Sequence, residues 1–222
     1  MFDLKFSPYL TPILVGWIVG FWLGYSKLKS KQMNTTVFEH WVVLSTFFAP
    51  LFAYILNLLF FWVFEGKIIN GLMYYGAIIS FWFLSKICFS KLKTKEEEVV
   101  LQNVSIFVVA FASGVGRLGC LFSGCCHGIP LRKDFFFFKI EVFPSQMLEL
   151  VFHFSVFFLA FFSDKWFTQK NSFSAYIVAY SCYRFMAEFF RGDHVGLIFG
   201  LSYAQCISLL VFIFYFVRRR FN

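Results

Sequence analysis

Residues 41–64 read WVVLSTFFAPLFAYILNLLFFWVF, from Trp41 to Phe64, without one Asp, Glu, Lys or Arg. A bilayer core about 30 Å thick takes roughly 20 apolar residues per helix, so this stretch is long enough to span. Six others approach its length and character: 9–25, 68–89, 99 to about 114, 147–162, 173–190 and 197–217. The rest of the chain agrees. Of 222 residues, 59% are hydrophobic, 14% are charged and 37 are Phe. An average soluble domain is about 45–50% apolar and about 25% charged. A soluble globule this small cannot hide so many aromatics, and the same numbers exclude disorder. The sequence therefore predicts an all-α, polytopic membrane protein of seven transmembrane helices, forming one domain over 1–222 with no separate soluble module.

The stretch 9–25 is too long and too poorly flanked for a cleaved signal, since Lys27, Lys29 and Lys31 follow it rather than a small-x-small site. Alternate loops carry the cations. Lys27, Lys29, Lys31, Lys91, Lys93, Lys95, Lys165, Lys170 and Arg218, Arg219, Arg220 lie on one side. Lys5, Lys67, Arg132, Lys133, Lys139 and Arg191 lie on the other. The positive-inside rule then places the N-terminus outside, the C-terminus in the cytoplasm and residues 121–144 on the outer face. The formal charge of +8 is accounted for by this topology and by anionic lipid, and nucleic acid is not an expected partner. The phenylalanine run 135–138 is expected to rest in the membrane interface.

Charged residues inside apolar spans cost about 2.5–3.5 kcal/mol each on insertion scales. In the sixth stretch Tyr180, Arg184, Glu188 and Arg191 are spaced four, four and three apart, which puts them on one helix face with Arg184 within reach of Glu188. A structural ion pair would need neither the second arginine nor the tyrosine, so the stripe is read as a site for an anionic ligand in a wet cavity. Arg117 adds another guanidinium inside Gly114-Val115-Gly116-Arg117-Leu118-Gly119. Those glycines allow close approach and an unwound turn. Guanidinium forks match phosphate oxygens and stay charged, and the phosphate at hand in a bilayer is phospholipid. After Pro144, Ser145 is a possible N-cap, and Gln146 sits in the first turn. Glu149, one turn into an apolar helix, is left unexplained by capping. Gln205 reads as an interhelical hydrogen bonder.

The segment Cys120-Leu121-Phe122-Ser123-Gly124-Cys125-Cys126-His127-Gly128 holds three of the six cysteines. Four readings stay open. A metal site would use thiolates and imidazole, but C-x4-C-C-H matches no common zinc spacing, and no metal or cofactor is expected. A disulfide on the outer face would join Cys120 and Cys125. A reactive thiol would be activated by His127 or Arg117. Close packing of small residues is the fourth. Cys88, Cys182 and Cys206 read as buried small hydrophobes.

With these residues in view, the chain resembles the bacterial prolipoprotein diacylglyceryl transferase family. The family pattern G-R-x-x-N-F-x-N-x-E-x-x-G is similar to the run from Gly116 and Arg117 through Cys120 and Cys125 to Gly128. A following P-S/T-Q-L-Y-E motif resembles Pro144-Ser145-Gln146-Met147-Leu148-Glu149, and Y-x-x-x-R-x-x-x-E-x-x-R resembles Tyr180, Arg184, Glu188 and Arg191, with Asp193 close behind. The downstream S-x-x-Q resembles Ser202 and Gln205.

The resemblance implies a multi-pass enzyme of the bacterial plasma (inner) membrane. It would move a diacylglyceryl group from phosphatidylglycerol, or another anionic phospholipid, to the lipobox cysteine thiol of a preprolipoprotein, releasing glycerol phosphate. It implies that Arg117 and Arg184 hold the phosphate, that Glu188 orients Arg184, and that Gly128, Gln146, Glu149, Tyr180 and Arg191 complete the substrate site. Tyr75 stands where the family has a histidine, Cys120 where it has Asn, and Cys125 where it has Glu. His127 has no counterpart and is the imidazole available to replace the missing one. An arginine of the family at the end of the second span is absent from 49–54. Two other readings remain. Cys125 or Cys126 would be a nucleophile that carries a lipid-derived group to another acceptor, or the protein would bind anionic lipid without catalysis. A transporter is disfavoured by the odd span count and the lack of an inverted repeat.

Overall fold

The computed structural model describes residues 10–66, 73–90, 92, 94–131, 141–163, 172–192 and 200–221. Seven α-helices succeed one another among them: α1 (Leu10–Ser30), α2 (Thr36–Glu65), α3 (Tyr74–Phe89), α4 (Lys95–Ser123), α5 (Ser145–Phe162), α6 (Ser172–Ala187) and α7 (Tyr203–Phe221). A 3₁₀ turn, Glu188–Phe190, ends α6. Three helical stretches are long and apolar enough to cross a membrane: Thr36–Val63, Lys95–Ser123 and Ser145–Phe162. Tyr74–Phe89 and Tyr203–Val217 are shorter apolar helices. Lys5, Lys67, Lys91, Lys93, Arg132, Lys133, Lys139, Lys165, Lys170, Asp193 and the run 135–138, which carried expectations of topology, interface contact or family motif, lie outside the described residues.

The helix α4 is the central post, packed against α1 on one side and α5 on the other, while α2 pairs with α3 and α6 with α7. Its start is set by Thr94, whose hydroxyl accepts from the Glu97 amide, and by Glu96, Glu97 and Glu98 in the first turn. Anionic side chains there complement the positive end of the helix dipole. Beyond this turn, every residue from Leu101 to Ala110 is buried. The contact with α1 follows from Gly16, Gly20 and Gly24, each four residues from the next. A Cβ at Gly16 would lie 2.8 Å from that of Val115, and one at Gly24 would lie 2.9 Å from Cγ2 of Val108. Small residues at this spacing let two helix backbones approach where dispersion, not water, drives association.

One expectation fails in α4. The glycines at 114, 116 and 119 do not unwind the chain, and the helix continues to Ser123. Gly114 receives the Phe154 ring and Gly116 faces Ile13, so these glycines serve helix packing. The start of α5 also differs. Pro144 is its N-cap, and Ser145 sends its hydroxyl to the Cys126 carbonyl instead of capping. At α7 the Ser202 amide donates to Gln205 Oε1 (2.9 Å) and the Gln205 amide to Ser202 Oγ (3.3 Å), a reciprocal capping box. The Gln205 amide group also reaches the Phe185 carbonyl on α6, the interhelical bond expected of it.

The outer surfaces of the helices are apolar. Phe47 and Trp62 on α2, Phe162 on α5 and Leu210 on α7 are all more than three-fifths exposed. Water would penalise such a surface and hydrocarbon does not. Cys182, expected inside, belongs to this exposed surface, whereas Cys88 and Cys206 are half-buried.

Candidate functional site

Five charged side chains converge at one end of the bundle. Arg117 comes from α4, Glu149 from the second turn of α5, Arg184 from α6, Glu188 from the 3₁₀ turn and Arg191 from just beyond it. Glu149 and Glu188 are 2% exposed, and Arg184 and Arg191 are 6% exposed, so water does not screen these charges. Glu149 is the hub. Its Oε1 lies 2.5 Å from Nη2 of Arg117 and accepts the Tyr180 hydroxyl at 2.9 Å, while its Oε2 lies 3.5 Å from Nη1 of Arg184. Arg184 Nη2 reaches Glu188 Oε2 at 3.0 Å, and Arg191 Nε approaches the same oxygen at 3.7 Å. Three guanidiniums face two carboxylates, so the cluster keeps one positive charge for an anion to neutralise.

The cluster closes one end of a cavity of about 300 Å³. Ile13, Leu14 and Trp17 of α1, Ala49, Pro50 and Ala53 of α2, and Ala77 and Phe81 of α3 form an apolar wall. Leu14 and Pro50 are themselves exposed, so the cavity reaches the outer surface between α1 and α2. Arg117, Arg184, Arg191, Tyr74, Cys120 and Cys126 line the polar end. Such a space takes a molecule with an anionic head and an apolar body.

Tyr74 lies under the Arg117 guanidinium, 5.6 Å from its carbon. Its hydroxyl meets Ser113 Oγ at 2.8 Å and the Tyr176 hydroxyl at 3.2 Å, and Tyr176 meets His153 Nδ1 at 3.1 Å. His153 is fully buried, stacked on the Tyr180 ring at 5.3 Å. Sequence reasoning passed over Tyr74, Ser113, Tyr176 and His153. The one available signal was that His153 follows Glu149 by four residues, on the same face of α5.

The neighbouring Tyr75 stands behind the site. Its hydroxyl bonds to Ser208 at 2.5 Å, and it is not among the cavity-lining residues. Tyr74 therefore holds the position expected of Tyr75. Gln146 does not line the cavity either, because its amide donates to the Cys125 carbonyl at 2.7 Å. His127 is exposed, with Nδ1 3.1 Å from the Gly128 carbonyl, and does not join the buried cluster. Gly128 pairs with Arg191 in an isolated antiparallel bridge and packs against the Phe143 carbonyl so closely that a side chain would collide there.

All six cysteines are free, so the Cys120–Cys125 disulfide is not formed. Yet Cys120, Cys125 and Cys126 stand together, with every pair of sulfurs within 4.8 Å. Arg117 Nη1 lies 3.7 Å from Cys120 Sγ. In the loop after α4, the thiol of Cys120 donating to Cys126, helped by the Arg191 and Arg117 guanidiniums, outweighs burial and pulls the Cys126 thiol down to about 5. Burial and the adjacent Cys126 push the Cys125 thiol up.

A family model described as prolipoprotein diacylglyceryl transferase matches residues 2–218. A phosphatidylglycerol–prolipoprotein diacylglyceryl transferase of Clostridium tetani is 35% identical over 156 residues, 65% of this chain and 61% of that protein. One of Clostridium perfringens, numbered 2, is 31% identical over 65% of this chain and 59% of its own length. One of Campylobacter curvus is 29% identical over 95% of this chain and 74% of its own length. The chain thus spans about three-fifths of the length of the two clostridial relatives.

Proposed function

The chain belongs to the prolipoprotein diacylglyceryl transferase family, and on that premise we propose that it moves a diacylglyceryl group from phosphatidylglycerol to a cysteine thiol of a prolipoprotein. In this reading it crosses the bacterial inner membrane seven times, with its N-terminus outside. The excess of basic residues in alternate loops supports that direction. The observation that carries the function is the Arg117–Glu149–Arg184 cluster at the polar end of an otherwise apolar cavity.

The phosphate of the lipid sits between the Arg117 and Arg184 forks, and the acyl chains leave between α1 and α2. About 300 Å³ suits a headgroup and glycerol backbone, not two whole chains. Glu149 holds both arginines in register, Tyr180 fixes Glu149, and Glu188 holds Arg184 from the far side. The acceptor thiol gives up its proton to water, its sulfur bonds to the glycerol carbon, and the carbon–oxygen bond breaks with its electron pair going to the phosphate oxygen. Guanidiniums held beside the phosphate by Glu149 stabilise its departure with little reorganisation. A relay through Cys125 or Cys126 is disfavoured chemically. It would leave a thioether on the enzyme, and a thiolate is too poor a leaving group from such a carbon to pass the lipid on.

The test is reconstitution in vesicles with acyl-labelled phosphatidylglycerol and a lipobox peptide. Label should appear on the peptide cysteine with one glycerol phosphate released per transfer, and Arg117→Ala or Arg184→Ala should remove both signals. Lipid bound but no label on the peptide would overturn the assignment.

A further inference from the structure

We propose that Cys120, Cys125 and Cys126 form a three-thiolate zinc site in the cavity wall, whose fourth coordination position takes the thiol of the acceptor. The acceptor role rests on the transferase reading above; the metal site itself does not.

The backbone builds the cluster deliberately. Cys120 lies on the last turn of α4. Gly124, at φ +66°, turns the chain back, so that the Cys125 amide bonds to the Cys120 carbonyl at 3.1 Å. Cys126 then adopts φ +60°, a left-handed conformation unusual for a residue with a side chain. Gln146 and Ser145, at the start of α5, hold the carbonyls of Cys125 and Cys126. This clamp brings three thiols from C-x4-C-C into one group, which the spacing alone did not suggest.

The geometry suits a thiophilic cation. Zinc–thiolate bonds of about 2.3 Å in a tetrahedron place sulfurs roughly 3.8 Å apart. The three sulfurs, all within 4.8 Å of one another, reach that by small side-chain rotations. Among the described residues no histidine or carboxylate joins the group as a fourth ligand, and a site with three protein ligands and one open position is the catalytic form of zinc. Arg117 Nη1, 3.7 Å from Cys120 Sγ, places a cation beside the sulfurs.

The cavity has a use for such an ion. Cys120 and Cys126 line it, together with Arg117 and Arg184. No histidine, aspartate or glutamate is among its described lining residues, so none stands ready to take the acceptor's proton. A free thiol ionises near pH 8.5, and a thiol bound to zinc is deprotonated on coordination. The acceptor S–H would release its proton to water as sulfur joins the metal. The sulfur lone pair then forms the S–C bond, the C–O bond breaks, and the electron pair leaves on the phosphate. No oxidant or reductant is needed.

The experiment loads full-length protein, reduced and freed of metal, with Zn²⁺ or Co²⁺ and measures bound metal and visible absorption. One metal per chain is expected, with the thiolate charge-transfer and tetrahedral bands of cobalt. Both should be lost in Cys120→Ser/Cys126→Ser and kept in Cys88→Ser/Cys182→Ser. A lipobox peptide should alter the cobalt bands, and its Cys→Ser version should not. Removing zinc should lower transfer at least 10-fold, with recovery on zinc addition. Stoichiometric metal in Cys120→Ser/Cys126→Ser, no metal with the thiols reduced, no spectral response to the peptide, or full transfer without metal would each overturn the proposal. The last of these would leave the transferase assignment standing. Metal and peptide bound without any transfer from phosphatidylglycerol would instead contradict the transferase assignment and support the metal site.

Discussion

Arg117 and Glu149, on α4 and α5, meet with Nη2 and Oε1 2.5 Å apart, and the second oxygen of that carboxylate lies 3.5 Å from Arg184. One buried carboxylate thus sets the separation of two guanidiniums that would otherwise repel. Removing one partner of a buried ion pair costs about 3–5 kcal/mol, because the remaining charge is left uncompensated. Glu149→Gln should therefore lower the thermal midpoint of the purified protein well below that of the parent. Phosphatidylglycerol should restore part of the loss by supplying a negative charge, and diacylglycerol should not. An unchanged midpoint would show that Glu149 does not hold the pair.

Arg184 donates a hydrogen bond to Glu149 Oε2 at 3.5 Å and stands as an ion pair 3.0 Å from Glu188. A lysine keeps the charge but loses the planar fork. Hydrogen bonds to charged groups are worth about 1.5–3 kcal/mol, or roughly 10- to 150-fold. Arg184→Lys should cut transfer within that range. Retention of more than half the parent rate would reduce Arg184 to a point charge.

Tyr74 and Tyr75 are adjacent, yet the first faces the cavity and the second bonds to Ser208. Tyr75→Phe should leave transfer within about 2-fold of the parent and cost about 1 kcal/mol of stability, the net worth of one hydrogen bond. Tyr74→Phe should lower transfer about 5-fold by freeing Ser113 and Tyr176. Tyr74→Leu should lower it further, because the ring under Arg117 is also lost. Equal rates in the Tyr74 and Tyr75 variants would reverse this placement.

Gly76 is where α3 touches the α2 backbone. A Cβ there would stand 2.7 Å from both the Phe52 carbonyl oxygen and the Ala53 Cα. Backbone cannot rotate aside, so Gly76→Ala should push apart the two helices that carry Ala53 and Ala77 of the cavity wall. Overpacking of this kind costs about 1–3 kcal/mol. A lower thermal midpoint together with weaker phosphatidylglycerol binding is expected, and unchanged binding would mean that the cavity does not depend on this contact.

Much of this was legible in the sequence because helix periodicity is rigid. The spacing of Tyr180, Arg184, Glu188 and Arg191 placed four polar groups on one stripe, and the stripe survives the tightening into a 3₁₀ turn at Glu188. From the residues alone Glu149 was left unexplained, and only the family resemblance put it in the substrate site. Its partners come from α4 and α6, and a contact across 32 or 35 residues leaves no local signal. The same limit hid the Tyr74–Tyr176–His153 chain and singled out Tyr75, although it is Tyr74 that lines the cavity, since neighbours on a helix differ by about 100° in direction. The glycines of α4 were read as allowing close approach and an unwound turn; close approach is what they serve, and what they meet, Phe154 and Ile13, is decided by neighbouring helices.

The most direct test of where the lipid phosphate sits is native mass spectrometry of protein released from nanodiscs holding equal phosphatidylglycerol and diacylglycerol. The parent should retain one phosphatidylglycerol per chain in preference to diacylglycerol, and Arg117→Ala and Arg184→Ala should lose that preference. Retention of phosphatidylglycerol by both variants at the parent level would contradict the assignment of Arg117, Glu149 and Arg184 as the phosphate site.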